Sequence, residues 1–411
     1  MDMTVRPSRF SGTFRAPDSK SDLHRKLICA FLSNDLRIHD PCTDDILSRI
    51  QQPVCDDILV TIQGLRSLSD GYDMAVVECG DSGTTLRFLL PVAAALDRNV
   101  LFRMSGRLGQ RPVEPLLEQL ASHGCTVQYD AGDRAHGDST SMILHISGQL
   151  TGGDFVLPGN ISSQFISGLL LAMPLLKNDS ILRLTSPLES SLYVDMTLKV
   201  LREFGVTVRK EHRGTELFHI PGGQSFTMPD DMNIEGDWSG AAFFLAAGTA
   251  GDRAQSGTYV SCMGLSDDSL QPDRFIMNFI REMPPCVDIS RFPDLAPVLA
   301  VLAAGHKGIC RLDNGARLRF KESDRISSVA EMINGLGGKA EISADSIIIY
   351  GTESLTGGEV FSYNDHRIAM AAAVASAFST GDIIIHDAQC VNKSYPGFWD
   401  DFRRLGGNYV I

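Results

Sequence analysis

The sequence predicts an α/β protein of two similar domains, each built from three repeated strand–turn–helix units. Three observations carry this. The chain has 411 residues, enough for two or three domains of roughly 150 residues each. Apolar residues make up 43% and charged residues 21%, a balance that supplies an ample core and excludes a disordered chain. One pattern also recurs six times: an apolar or mixed run, a short turn rich in Gly, Pro, Asp, Asn and Ser, then an aliphatic stretch of helical character.

In chain order, Ala16–Ser21 leads into 27–32, Cys79–Thr85 into 86–96, and Pro158–Gln164 into 165–176. Ile234–Gly240 then leads into 241–247, Arg291–Asp294 into 295–304, and Tyr363–Arg367 into 368–378. The spacing is too long for solenoid repeats and suits a larger α/β unit. Three junctions precede residue 200 and three follow residue 230; Gly222-Gly223, Pro229-Asp230-Asp231 and Gly236 mark the passage between the halves. The helices are mostly aliphatic, which predicts that they are buried. Every turn carries Ser, Thr, Asp or Asn where a helix would begin, and the plain reading of each is an N-cap. Six such helix starts in one chain also offer free N–H groups and partial positive charge, the makings of a site for a multiply charged anion.

The net charge is −13, from 37 basic and 50 acidic residues. A field of that sign disfavours nucleic acid and anionic membranes as partners, but a local cluster of cations can still hold a small anion. The nine cysteines are odd in number, widely spaced and without a C-x-x-C, which points to reduced thiols in a cytosol rather than disulfides or zinc. The polar N-terminus has no apolar core of a secretory signal, and no apolar run reaches membrane-spanning length. A P-loop, a G-x-G-x-x-G, an H-E-x-x-H and a G-x-S-x-G are all missing, so the fingerprints of nucleotide binding, zinc hydrolysis and α/β-hydrolase chemistry are not found.

Cations gather at the junctions. Lys20 and Arg25 flank the first helix start, Arg87 lies just inside the second, and Arg111 precedes Pro112, a residue suited to a first helical turn. Lys321 and Arg325 stand at i and i+4, which in a helix would share one face. Arg367 closes the sixth turn and Lys393 lies in Cys390–Pro396. Each alone reads as a solvated surface cation. Two carboxylates occupy matching places: Asp294, which could be an N-cap or a proton acceptor, and Glu322, which could be an ion-pair partner of Lys321 or Arg325 or an acid.

These residues fall into an order that resembles the EPSP synthase family, the 3-phosphoshikimate 1-carboxyvinyltransferases. Ser19-Lys20-Ser21 with Arg25 is similar to the family's S-K-S-x-x-x-R, and Gly83–Arg87 to its G-T-x-x-R. Arg111-Pro112 is similar to R-P, Ser162–Gln164 to S-S-Q, and Tyr193–Asp195 to Y-I-D. Lys321–Arg325 resembles K-E-[ST]-D-R, Asn364–Arg367 resembles N-D-H-R, and Lys393 with Pro396 resembles K-[ST]-x-P.

The resemblance implies transfer of the enolpyruvyl group of phosphoenolpyruvate to the 5-hydroxyl of 3-phosphoshikimate by addition and elimination, on the route to chorismate and the aromatic amino acids. It implies no metal and no organic cofactor. It implies buried parallel helices with outer sheets and an active site in the interdomain cleft. One domain would comprise 1–15 plus 232–411 and the other 16–231, with hinges near 14–18 and 229–236.

By position, Ser162, Ser163 and Ser190 would hold the phosphate of 3-phosphoshikimate. Lys20, Ser21, Arg25, Gln164, Tyr193, Asp294, Arg317 and Lys321 would contact the same substrate. Lys20, Gly83, Arg111, Gln164, Arg325, Arg367 and Lys393 would cradle phosphoenolpyruvate. Asp294 would accept the hydroxyl proton and Glu322 would protonate the methylene carbon, with Lys20 and Lys393 assisting. The resemblance further implies a monomer in the cytoplasm and competition of glyphosate with phosphoenolpyruvate.

Three positions depart from the family pattern: Asp81 where Asn is common, Phe88 where Pro often follows the arginine, and Arg317 where some members have Asn. The paired acids Asp44-Asp45 and Asp56-Asp57 have no reading from sequence. A sister enzyme acting on UDP-N-acetylglucosamine usually carries Cys in the loop before R-P, and Ser105–Gln110 has none. A non-catalytic relative would not need both Asp294 and Glu322, and RNA-end processing would need a basic surface.

Overall fold

A computed structural model describes residues 1–33, 49–70, 72–131, 142–250 and 260–411. The chain divides into two compact units, 1–19 with 235–411 and 20–234. Each has its own hydrophobic core.

Among the described residues, each unit shows two full copies of one motif. In unit 20–234 the strand Ala75–Gly80 runs into the helix Gly83–Ala95 and back through Val100–Met104, parallel to the first strand. The helix Glu114–Ser122 follows, and then Thr126–Ala131 and Met142–Ser147 pair antiparallel to complete a four-stranded sheet. The motif repeats with Asp154–Leu157, Ser163–Ala172, Ser180–Leu184, Ser191–Glu203, Arg209–His212 and Glu216–Ile220. In the other unit it repeats from Cys286–Asp288 to Ile347–Gly351. Its last copy runs from Gly358–Phe361 to Asn408–Val410 and borrows its fourth strand from the N-terminus, Met3–Arg6. Each four-stranded sheet has one parallel pair spanned by a helix, as a parallel connection requires, and two antiparallel pairings; Gly12–Arg15 and Val260–Met263 form a separate parallel pair.

All six turns singled out in the sequence open onto helices, at Lys20, Gly83, Ser163, Trp238, Ala296 and His366. Four use the expected caps: Ser82, Ser162, Asp237 and Asp365 accept from backbone N–H groups of the first turn. The helices Ala296–Ala304 and His366–Val374 are buried at every residue, because both are almost wholly Ala, Val, Leu, Ile and Met. The helices Gly83–Ala95 and Ser163–Ala172 pack together closely: a Cβ at Gly168 would lie 2.2 Å from the Arg87 carbonyl oxygen. One first-turn expectation needs correction. Helix Glu114–Ser122 begins two residues beyond Pro112, and Pro115 holds its first turn.

No helix of the described residues is long and apolar enough to cross a membrane. The eight cysteines among them are free thiols. Asp44-Asp45 and Cys42 lie outside the described residues.

Candidate active site

The helix starts of unit 1–19 with 235–411 bring its charged candidates onto one guanidinium. Asp365 caps His366–Val374 through Oδ1, 3.0 Å from the Arg367 N–H, and is fully buried. Its Oδ2 accepts from Arg325 Nε at 2.7 Å and from Ser323 Oγ at 3.0 Å. Arg325, also fully buried, opens the helix Arg325–Gly335. Its terminal nitrogens donate to Asp294 and to Glu322, each at 2.7 Å. Asp294 also accepts from Arg367 at 3.1 Å and from Lys321 at 3.4 Å, while Arg367 reaches Ser239 Oγ at 2.6 Å.

Three cations thus meet three carboxylates. Burial pushes the Asp294 carboxyl up, but Arg367, Lys321 and Arg325 outweigh it and hold the group well below its usual range. Burial pulls Arg325 down, yet Asp365, Glu322 and Asp294 raise it well above its usual value.

The structure bears on two alternatives left open by the sequence. Asp294 is not an N-cap: it sits in a 3-10 turn, Pro293–Leu295, and its carboxylate faces cations. Glu322 does pair with Arg325. The i, i+4 expectation for Lys321 and Arg325 is corrected, because the helix begins only at Arg325; the two meet through Asp294 instead. Lys393 donates to the Asn364 carbonyl at 2.9 Å, beside the Asp365 cap. Tyr363 and Asn364 both hold left-handed backbone, at φ 53° and 57°. Such strain costs about 1–3 kcal/mol per residue and concentrates at functional turns. Arg317 donates to the Ser290 carbonyl at 2.7 Å.

Unit 20–234 holds its cations differently. Lys20 pairs with Asp57 at 2.6 Å, which gives one of the unexplained acids a partner. Arg25 is buried among neutral groups: Thr197 Oγ1 at 2.7 Å, the Tyr193 carbonyl at 2.8 Å and the Ser21 carbonyl. Burial pushes its pKa down to about 10. His24, one residue earlier, is held well below its usual pKa by burial and by Lys20 and Arg25, so it is neutral. Its Nδ1 lies 2.9 Å from Thr61 Oγ1, in a buried chain of hydroxyls that continues through Thr85 to Ser82.

Gln164 is fixed on both sides of its amide. Its oxygen accepts from Arg87 at 2.8 Å and its nitrogen donates to Thr84 Oγ1 at 2.8 Å. Arg87 also donates to the Pro112 carbonyl at 3.0 Å, next to Arg111. A Cβ at Gly83 would lie 2.7 Å from Arg87 and 3.2 Å from the Arg111 guanidinium, so glycine leaves room for both. Ser162 caps the Ser163–Ala172 helix with Ser163 beside it, and Ser190 stands at the start of Ser191–Glu203 with left-handed backbone at φ 54° and no side-chain capping bond.

The sequence reading missed Asp57, Arg87 and Asp365 as site residues. Arg87 and Asp365 lie inside quoted motifs, so the signal was present; Asp57 had none, since its pairing with Lys20 spans 37 residues. Among the described residues no cluster of His, Cys, Asp and Glu could hold a metal ion.

The family model described as EPSP synthase (3-phosphoshikimate 1-carboxyvinyltransferase) matches residues 5–402. A 3-phosphoshikimate 1-carboxyvinyltransferase of Clostridium kluyveri is 38% identical, covering 98% of this chain and 97% of its own. One of Clostridium perfringens is 36% identical, covering 98% of both. In fold, the chain is similar to the solved EPSP synthase of Acinetobacter baumannii, with a TM-score of 0.73, 22% identity and full coverage of both chains. It is also similar to the enolpyruvyl transferase NikO of Streptomyces tendae, with a TM-score of 0.70, 17% identity and coverage of 100% and 98%.

Proposed function

The chain belongs to the EPSP synthase family, and on that premise we propose how its residues divide the work. The protein is a 3-phosphoshikimate 1-carboxyvinyltransferase of aromatic biosynthesis. It transfers the enolpyruvyl group of phosphoenolpyruvate to the 5-hydroxyl of 3-phosphoshikimate and releases phosphate.

The observation that carries the residue assignment is the gathering of Asp294 and Glu322 on Arg325. Two carboxylates on one side of a reaction need different protonation, and their surroundings differ. Asp294 faces Arg325, Arg367 and Lys321 and stays ionised, as a proton acceptor must. In the addition step it takes the proton of the 5-hydroxyl while that oxygen bonds to C2 of phosphoenolpyruvate. Glu322 delivers a proton to the methylene carbon C3. Elimination then returns the C3 proton to Glu322, the C2–O bond to phosphate breaks with its electron pair going to the phosphate oxygen, and the proton held on Asp294 leaves with the phosphate.

A base held so low is weak until its cations are drawn elsewhere. Arg325 and Arg367 hold the carboxylate or phosphate of phosphoenolpyruvate, and an arriving anion competes with Asp294 for them. Substrate binding therefore raises the basicity of Asp294 when it is needed. Lys393 completes the phosphoenolpyruvate contacts in this unit, where Lys321 and Arg317 contact 3-phosphoshikimate.

In the other unit, Lys20, Gly83, Arg111 and Gln164 contact phosphoenolpyruvate, with Arg87 positioning Gln164. Ser162, Ser163 and Ser190 take the 3-phosphate, and Ser21, Arg25 and Tyr193 contact the rest of 3-phosphoshikimate. Cations fixed before the reaction stabilise charge that rearranges as the ketal forms. The same set makes glyphosate a competitor of phosphoenolpyruvate. A cytoplasmic monomer that binds no nucleic acid, as the net charge of −13 favours, completes the reading.

Phosphate release tests the activity. It is expected with 3-phosphoshikimate and phosphoenolpyruvate together and with neither alone; release only with UDP-N-acetylglucosamine as acceptor would overturn it. Lys20→Ala should lower turnover by about 10²–10⁴-fold with the fold retained.

A further inference from the structure

Arg25 is 3% exposed, yet none of its partners is charged. Among the described residues no carboxylate lies within ion-pair distance of it; Asp22, on the same helix, raises its pKa only from farther off and is itself bonded to Lys26 at 2.8 Å. A guanidinium has five N–H donors. Three go to Thr197 Oγ1 and to the Ser21 and Tyr193 carbonyls, which leaves one on each terminal nitrogen. A desolvated cation with two unspent donors is prepared for an anion, provided something holds its plane in place.

Two side chains outside the assigned set do that. The Phe88 ring, 1% exposed, has its centroid 5.2 Å from the guanidinium carbon. Its π face offers a buried cation partial negative charge where no carboxylate does. Proline, common at this place in the family, has no such face. Thr197 is fully buried and accepts from Arg25 Nε. Its one hydrogen goes to Ser167 Oγ at 2.8 Å or to the Tyr193 carbonyl at 3.1 Å, so a lone pair is always turned to Arg25.

We propose that Phe88 and Thr197 are positioning residues, which hold the Arg25 guanidinium ready for the anionic 3-phosphoshikimate. The proposal rests on the reading of Arg25 as a contact of that substrate. The ring sets the plane from one side and the hydroxyl sets the rotation about it. Neither residue touches substrate, and both act on one substrate only.

The test uses the full-length enzyme with mono-, di- and trifluorinated phenylalanine at position 88, which drains the ring face with little change of shape. Alongside are Thr197→Val, Thr197→Ser and Arg25→Ala. The dissociation constant of 3-phosphoshikimate and the KM of phosphoenolpyruvate are measured for each. Stepwise weakening of 3-phosphoshikimate binding with fluorination is expected, reaching about tenfold. Thr197→Val should weaken it by about tenfold and Thr197→Ser by much less, with the KM of phosphoenolpyruvate within about twofold throughout. A flat fluorination series overturns the role of Phe88, and Thr197→Val equal to Thr197→Ser overturns that of Thr197, each while Arg25→Ala still weakens binding. Unchanged 3-phosphoshikimate affinity in Arg25→Ala overturns the underlying reading of Arg25 itself.

Discussion

The two units hold their buried arginines in opposite ways. Arg325 is surrounded by Asp294, Glu322 and Asp365, so its charge is spent inside the protein. Arg25 rests on two carbonyls, a hydroxyl and a ring, so its charge is unspent. The contrast separates two tasks. In the proposed assignment a group that exchanges protons has cations close enough to set its ionisation, as at Asp294. An anion that arrives at Arg325 or Arg367 has to compete with the resident Asp294, whereas one that arrives at Arg25 has no ion-paired carboxylate to displace.

Removing the carboxylates should break the first arrangement most severely. Asp294→Asn is expected to lower kcat by about 10²–10⁴-fold in steady-state phosphate release. Asp365→Asn leaves Arg325 without its deepest partner. Breaking one side of a buried pair costs about 3–5 kcal/mol, so denaturant unfolding should show a loss of that size.

The other unit is sharpened by packing rather than charge. Gly168→Ala would press a methyl group onto the Arg87 carbonyl, and a loss of about 1–3 kcal/mol is expected in the same unfolding measurement. Gly83→Ala meets only the flexible ends of Arg87 and Arg111. It should raise the KM of phosphoenolpyruvate by about tenfold, close to 1.4 kcal/mol, and leave stability nearly unchanged.

The smallest effect is in acid. Asp294 has a folded-state pKa well below its ordinary 3.8, so its contribution to stability is complete above that value. It is lost only as the pH falls from there through the folded value. Melting temperatures below about pH 4 should decline less steeply in Asp294→Asn than in the parent.

Much of this was legible before any coordinates. The six helix starts could be read because caps and aliphatic runs are local: Ser82, Ser162, Asp237 and Asp365 act within three residues of themselves. The candidate residues could be named because their motifs are contiguous. The partners were harder to see. Lys20 finds Asp57 across 37 residues, Arg325 finds Asp365 across 40, and Arg25 finds Thr197 across 172. Nothing in residue type announces such distant pairings.

The amino-acid order therefore settled the class of fold, the places where helices begin, and which charged residues stand at those places, since caps, turns and periodicity act over a few residues. Folding settled which charges are neutralised and which remain open, because ionisation depends on distance and burial. So Asp294 proved a shared carboxylate rather than a cap, and Phe88, a departure in the sequence, proved to lie beneath Arg25.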